Sequence, residues 1–238
     1  MELERITRKL SAQVAKLSFA APVTHVYAPL TYAWAVHQAY LRRFGPRTGR
    51  VLLVGMNPGP WGMAQTGVPF GDPEFVRDWM GLEAPVARPA REHPRRQVAG
   101  LASRRGEVSG RRLWGWARER YGSADAFFRR FFVLNYCPLA FLEETGRNRT
   151  PDRLPAAERE PLFTACDSAL GRLVTALRPK QVVGIGRFAE ARCGAALAGR
   201  SFPIGWAPHP SPASPAANRG WARRMDAALA GLGVVPEG

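Results

Sequence analysis

A chain of 238 residues with 46% hydrophobic and 10% aromatic content is long enough for one ordinary domain with a substantial core, which excludes a disordered protein. Its formal net charge of +15, with 31 of 34 basic residues arginine, exceeds what solubility asks for and points to a polyanionic partner. The apolar runs are too short for a membrane helix, the charged N-terminus has no secretory core, and three scattered cysteines (Cys137, Cys166, Cys193) offer neither a disulfide framework nor a metal or redox pair, so a reducing cytoplasmic setting is expected.

In chain order, Ile6, Leu10, Val14 and Leu17 recur at helical spacing and predict an amphipathic first helix. A second helix is expected over residues 32–43, before Gly45-Pro46. Val51-Leu52-Leu53-Val54 reads as a strand buried on both faces. It breaks into Gly55-Met56-Asn57-Pro58-Gly59-Pro60, and residues 55–72 stay rich in Gly and Pro, which predicts a rigid, non-repetitive path. Such a path suits either the floor of a pocket for a flat polar ring or an ordinary connection. A short helix is expected from Pro73, then a long Arg-rich surface excursion over 85–110, then helices over 111–120 and 123–130. Phe131-Phe132-Val133-Leu134 forms a second buried strand, 146–157 a polar loop, and 158–178 a long helix. Strands at 181–185 and 204–207 follow, separated by a helix over 188–197. A last helix carries Trp221, Met225, Leu229 and Leu232 on one face, with Ser214 and Pro215 suited to its start.

Buried strands alternating with helices define one α/β domain, residues 1–238, with a parallel sheet. Ligands in such sheets bind beyond the carboxyl ends of the strands. Here those ends lead into Asn57, Asn135, Gly186 and His209, so three polar side chains that suit a nucleobase or an oxyanion should meet on one edge.

Several patterns invite other readings. Gly184-Ile185-Gly186-Arg187-Phe188-Ala189 fits a dinucleotide fingerprint, but the acidic residue expected about 20 positions on is missing. It reads instead as a close-packing turn whose helix start and Arg187 suit a backbone phosphate. The four histidines show no metal-binding spacing, so neither metal nor cofactor is expected. Ser211 lacks a nucleophile elbow. Asn135 suits equally a buried structural amide or base recognition. His209 stands apart because prolines at 208, 210 and 212 hold it in a rigid polar loop at a strand end. The densest basic tract, residues 88–120, favours nucleic acid over a merely solvated face.

The stretches GMNPGPWGMAQTGVPFGD (55–72), FVLNYCPL (132–139) and HPSPASPAANRGW (209–221), with EHPRRQVAGL, EVSGRRLW, GRNRTP and GIGRFAE between them, closely resemble the single-strand-selective monofunctional uracil-DNA glycosylases over nearly the whole chain. That resemblance implies a three-layer α/β/α sandwich around a four-stranded parallel sheet. It implies that Asn57 orients the attacking water and His209 stabilises charge on the base O2. Phe70 would stack on the flipped base and Asn135 would bond its N3 and O4 edge, while Met56, Gly59, Pro60, Trp61 and Met63 would shape the pocket. Gly186 and Arg187, the wedge loop with Ser211, Pro212, Ala213 and Ser214, and the following Asn218 and Arg219 would meet DNA.

The implied activity is hydrolysis of the N-glycosidic bond of uracil and 5-modified uracils, with xanthine as an extension, in single- and double-stranded DNA. A monomer without cofactor would leave an abasic site in base-excision repair, in the cytoplasm and on the nucleoid of a bacterial host. A protein that binds nucleic acid without catalysis is the alternative. Two departures from the family stand out: Trp61 where Phe is frequent, and Ala213-Ser214 where Arg-Asn is frequent. The smaller wedge tip implies weaker duplex invasion and a stronger single-strand preference.

Overall fold

The computed structural model describes residues 1–213 and 215–234. In chain order its elements are α1 (Glu2–Val14), β1 (Val23–Tyr27), α2 (Pro29–Tyr32), α3 (Trp34–Phe44), β2 (Val51–Gly55) and α4 (Met63–Thr66). There follow α5 (Val108–Tyr121), α6 (Ala124–Arg130), β3 (Phe131–Asn135), β4 (Ala140–Glu143), β5 (Asn148–Arg149) and α7 (Ala156–Leu177). The chain continues through β6 (Gln181–Ile185), α8 (Arg187–Ala196), β7 (Ile204–Ala207) and α9 (Trp221–Gly231).

Four strands pair in parallel in the order β3-β2-β6-β7. The two inner strands, β2 and β6, are buried at every position, as sequences apolar but for Gln181 require. Helices α1, α7 and α8 pack together on one side, with α8 against β2, β6 and β7. On the other, α5 packs against α6 and α9, which cover β3 and β7. This is the three-layer α/β/α sandwich expected above. Gly184 allows the α8 contact, since a Cβ there would run into the backbone of Glu190.

Parallel pairing sends every strand's carboxyl end to the same edge. The register sets Val51 opposite Phe131 and Gly55 opposite Asn135. β2 stops at Gly55 and β7 at Ala207, so Asn57 and His209 stand two residues past their strands, in loops, while Asn135 is still within β3.

Other sequence expectations needed correction. The first helix ends at Val14, leaving Leu17 packed on the core from outside it. The supposed polar loop at 146–157 holds β5, a 3-10 turn and the start of α7. β5 joins β4 and β1 in a separate antiparallel sheet in the order β1-β4-β5, which no alternation in these short segments signalled. This sheet has its own small apolar cluster of Tyr27, Ala64, Val98, Ala140 and Leu142. The excursion over 85–110 is not purely superficial, because His93 and Val98 are buried. The Tyr27 hydroxyl anchors it, donating to the Arg96 carbonyl (2.8 Å) and accepting from the His93 amide (2.8 Å). A helical turn, α4, interrupts the segment expected to be non-repetitive. The last helix starts at Trp221 behind Gly220 (φ +69°), not at the Ser214-Pro215 signal.

At the opposite edge of the sheet one cation ties the elements together. Arg50 is 4% exposed and donates to the carbonyls of Phe44 (2.6 Å), Gly45 (3.0 Å), Arg47 (2.7 Å) and Phe128 (2.9 Å). The Phe44, Gly45 and Phe128 carbonyls are among those that the ends of α3 and α6 leave without helical partners, and the negative ends of both helix dipoles compensate the buried charge. Burial pushes its pKa down to about 10, so the guanidinium stays charged at neutral pH. Arg50→Met is expected to destabilise the fold by about 3 kcal/mol, because several buried acceptors lose their donor at once. Urea unfolding would show this as a lower midpoint with an unchanged slope. A midpoint within error of the parent would mean that the carbonyls find other donors.

Candidate active site

A cavity of about 590 Å³ opens at the carboxyl edge of the sheet. Its lining includes Met56, Asn57, Gly59 and Pro60 from the loop after β2, Phe70, Asn135 from the end of β3, and His209, Ser211 and Ala213 from the loop after β7. Glu107 and Ser109 at the start of α5 and Arg147, Asn148 and Thr150 around β5 complete it.

The side-chain amide of Asn57 is oriented by one bond, Nδ2–H to the Leu139 carbonyl (3.1 Å). That leaves Oδ1 as the end able to accept from a water. The Pro58 carbonyl takes a bond from Asn148 Nδ2 (3.1 Å), so the hairpin carrying β4 and β5 is tied to the loop that carries Asn57.

Phe70 is held in the left-handed region, φ +53°. For a residue with a Cβ this costs about 1–2 kcal/mol, and the surroundings enforce it. Trp114 Nε1 donates to the Phe70 carbonyl (2.9 Å), and Gly110 lets α5 come up against the same oxygen. The Phe70 ring lies over Gly55, where a Cβ would collide with both the ring and the Asn135 amide oxygen. Asn135 donates Nδ2–H to Met63 Sδ (3.2 Å), while its Oδ1 is sealed from solvent and unpartnered. A buried acceptor without a donor favours any ligand that brings one.

His209 lies tilted against Phe70, ring centroids 5.9 Å apart. The Ser211 amide donates to its Nδ1 (3.0 Å). Nδ1 is therefore the acceptor nitrogen, and the neutral ring must carry its proton on Nε2. Burial pushes the His209 pKa down to about 4, which keeps the ring neutral. The loop that carries it is braced: Trp221 Nε1 donates to the Pro208 carbonyl (2.8 Å), Arg112 to the Pro210 carbonyl (2.9 Å), and Asn218 Nδ2 to the Pro212 carbonyl (3.0 Å).

The sequence-based site is thus largely assembled around one cavity, with exceptions. Met63 reaches the site through Asn135 and is not part of the cavity wall. Trp61 also lies outside the wall, between Arg96 and Arg105, whose guanidinium carbons are 5.4 and 4.2 Å from its ring centre. Gly186 packs behind His209, and Arg187 pairs with Glu190 (2.8 Å) over the Trp206 ring. Asn218 uses its amide to brace the loop, bonding Pro212 and Arg112, while Arg219 is exposed. Ala217, a little further along, is buried; Ser214 lies outside the described residues.

Sequence reasoning missed Glu107, Ser109, Arg147, Asn148 and Thr150. Only the order of motifs EVSGRRLW and GRNRTP could have suggested them, since nothing in their spacing ties them to the sheet. Glu107 is the most unusual of these. The residue as a whole is partly exposed, yet its Oε2 is sealed and unpartnered. Desolvation, followed by the nearby Asp72 carboxylate, pushes its pKa up to about 7.

An amide, an imidazole and an amide around an aromatic floor, at the carboxyl edge of such a sheet, define a class. Residues 42–230 match the model of the uracil DNA glycosylase superfamily. Over 230 residues the chain is 48% identical to the single-strand selective monofunctional uracil DNA glycosylase of Mus musculus, covering 96% of this chain and 82% of that protein. It is 47% identical to the Bos taurus protein of the same name, again over 96% of this chain and 85% of the relative. The chain belongs to the single-strand selective monofunctional uracil DNA glycosylase family. The crystal structure of Pedobacter heparinus SMUG2 shares the fold, with a TM-score of 0.66 at 17% identity over 96% of this chain and 98% of that one.

The buried His37 and the half-buried His209 should differ in tautomer. His37 donates from Nδ1 to the Gly67 carbonyl (2.7 Å) and is also depressed to about 4 by burial. NMR of the imidazole nitrogens should show His37 protonated on Nδ1 and His209 on Nε2, with neither ring titrating between about pH 5.5 and 8. A folded-state pKa below the unfolded value of roughly 6.5 means the unfolded chain binds more protons. Each ring's contribution to stability is therefore complete above that pH and is lost as pH falls toward about 4. A His209 midpoint near 6.5 would contradict the burial argument.

Proposed function

We propose that the chain is a monofunctional uracil-DNA glycosylase that releases uracil by hydrolysis of its N-glycosidic bond, leaving an abasic site for base-excision repair. The observation that carries the reading is the convergence of Asn57, Asn135 and His209 on one cavity floored by Phe70. A protein that only binds nucleic acid needs a surface, not a recessed cavity with an orphaned amide acceptor and a histidine held in one tautomer.

The flipped base stacks on Phe70, and its N3–O4 edge faces the Asn135 amide. Its O2 meets the Nε2–H of neutral His209. Negative charge grows on the base as the bond to the sugar lengthens, and a donor aimed at it supplies typically ~3–4 kcal/mol. Asn57 cannot take a proton from water as a carboxylate would; it can only accept a hydrogen bond through Oδ1. Departure of the base therefore leads, and water is captured by an oxocarbenium-like sugar. A lyase step requires an amine nucleophile. Lys9, Lys16 and Lys180 are all exposed and none lines the cavity.

Single-stranded DNA is the preferred substrate and duplex the weaker one. The reading is supported by the small Ala213 side chain beside the cavity mouth and by the names of the relatives. Extraction from a duplex costs a few kcal/mol of unstacking, and a small tip offers little to replace the lost base. Uracils substituted at C5, and the purine xanthine, extend the substrate range on the strength of the cavity's size. The monomer suffices, because one chain supplies every lining residue.

Incubation with single-stranded DNA carrying one uracil should give strand breaks only after alkali. Asn57→Ala and His209→Ala should each lower turnover by about a hundredfold or more while DNA affinity stays within a few-fold. Tight binding with no alkali-labile sites would favour the non-catalytic alternative. With four to six phosphates neutralised, log affinity for duplex DNA should fall against log salt with a slope of about −4 to −5. A flat response would remove the electrostatic account of the net charge.

A further inference from the structure

Trp61 follows Pro60, a residue of the cavity wall, and the fold gives its ring no place in the interior. Among the described residues it joins neither apolar cluster and meets no aromatic ring, and it stays half-buried. Its neighbours are cations: the guanidinium carbon of Arg105 lies 4.2 Å from the ring centre and that of Arg96 5.4 Å. Arg96 is tethered, donating from Nε to the Gly146 carbonyl (2.8 Å) and from Nη1 to the Arg95 carbonyl (2.9 Å). Gly146 leads into Arg147, which lines the cavity, so two chain segments carry this cluster up to the cavity's edge. Arg105 is exposed, and its guanidinium donates to no protein acceptor among the described residues. Burial, and then the charges of Arg105 and Arg95, lower the pKa of Arg96. Like charges gathered around one indole without a carboxylate among them favour a ligand that brings an anion.

We propose that Trp61, Arg96 and Arg105 form a subsite for single-stranded DNA beside the cavity. An unpaired base near the excised uracil stacks on the indole where the Arg105 guanidinium now lies, and the two arginines take its phosphate. The inference rests on the uracil-excision reading of the cavity and gives the single-strand preference a second source. Stacking on an aromatic ring flanked by cations tolerates any sequence, because every base offers a π face. It also removes from water the half of the indole that the protein leaves uncovered. In a duplex the same base is paired and stacked, so it must be extracted before it reaches Trp61, and that cost offsets the gain.

Three variants of the full chain separate this role from a structural one: Trp61→Leu removes the π face, Trp61→Phe keeps one, and Arg105→Gln removes the untethered cation. Dissociation constants and kcat/KM are measured on single-stranded oligonucleotides with one uracil. A tetrahydrofuran spacer replaces, one at a time, each of the two bases on either side of it. At one position the spacer should weaken binding at least about fivefold in the parent and in Trp61→Phe, and no more than about twofold in Trp61→Leu. The ratio of single-strand to duplex kcat/KM should fall at least about fivefold in Trp61→Leu and stay within about twofold of the parent in Trp61→Phe. Arg105→Gln should make the slope of log affinity against log salt shallower by about 0.7 on single strands. A parent indifferent to every spacer would overturn the subsite, as would spacer and Trp61→Leu losses that add at every position. So would an unaltered salt slope in Arg105→Gln, whether or not Trp61→Leu folds. A parent that binds single strands but releases no uracil would instead overturn the function proposed above, and the affinities would still decide the subsite.

Discussion

The site depends on the missing side chain at Gly55. β2 and β3 run in register so that Gly55 faces Asn135, and the space a Cβ would take is shared by the Phe70 ring and the Asn135 amide. Any other residue would separate the aromatic floor from the polar edge above it. The left-handed backbone at Phe70 is the local cost of that arrangement, and Trp114 and Gly110 of α5 hold it there. A layer of helices on one side of the sheet is thus responsible for a ring position at the sheet's edge.

The charges of this chain are divided between surface and cavity. The exterior is strongly basic, but the groups converging on the ligand space are neutral amides, a neutral imidazole and a carboxyl that burial shifts toward its neutral form. A neutral donor at the base oxygen stabilises developing charge without a full cation that would have to be desolvated first. Many arginines meanwhile serve the fold. Arg50 closes helix ends, Arg112 braces the His209 loop, Arg111 pairs with buried Asp72, and Arg120 pairs with Asp226. Part of the basic tract at 88–120 is therefore internal bracing, and the net charge overstates the number of arginines available to phosphates.

The sandwich was legible because its strands are unbroken apolar runs and its helices carry regular apolar stripes. β6 and β7 were read to the residue, and the shared edge that gathers Asn57, Asn135 and His209 followed from parallel pairing alone. The antiparallel sheet was not legible: β5 is two residues long and polar, and pairing across the chain, not periodicity, makes it a strand. Glu107 escaped notice for a related reason. A glutamate before a helix reads as an ordinary first-turn acid, and only the approach of Gly59 and Gly62 turns it into part of a cavity wall. Trp61 was misplaced because aromatics near a pocket motif look like pocket walls, whereas two guanidinium groups hold this one elsewhere.

The β1-β4-β5 sheet has a small apolar cluster of its own but also enters the main core through Val23 and Phe141, and through Arg147, Asn148 and Thr150 it supplies one side of the cavity. Its Asn148 bonds the Pro58 carbonyl in the loop that carries Asn57. Residues that share partners do not change independently, so a substitution in this hairpin that reshapes the cavity mouth is felt at the catalytic edge as well.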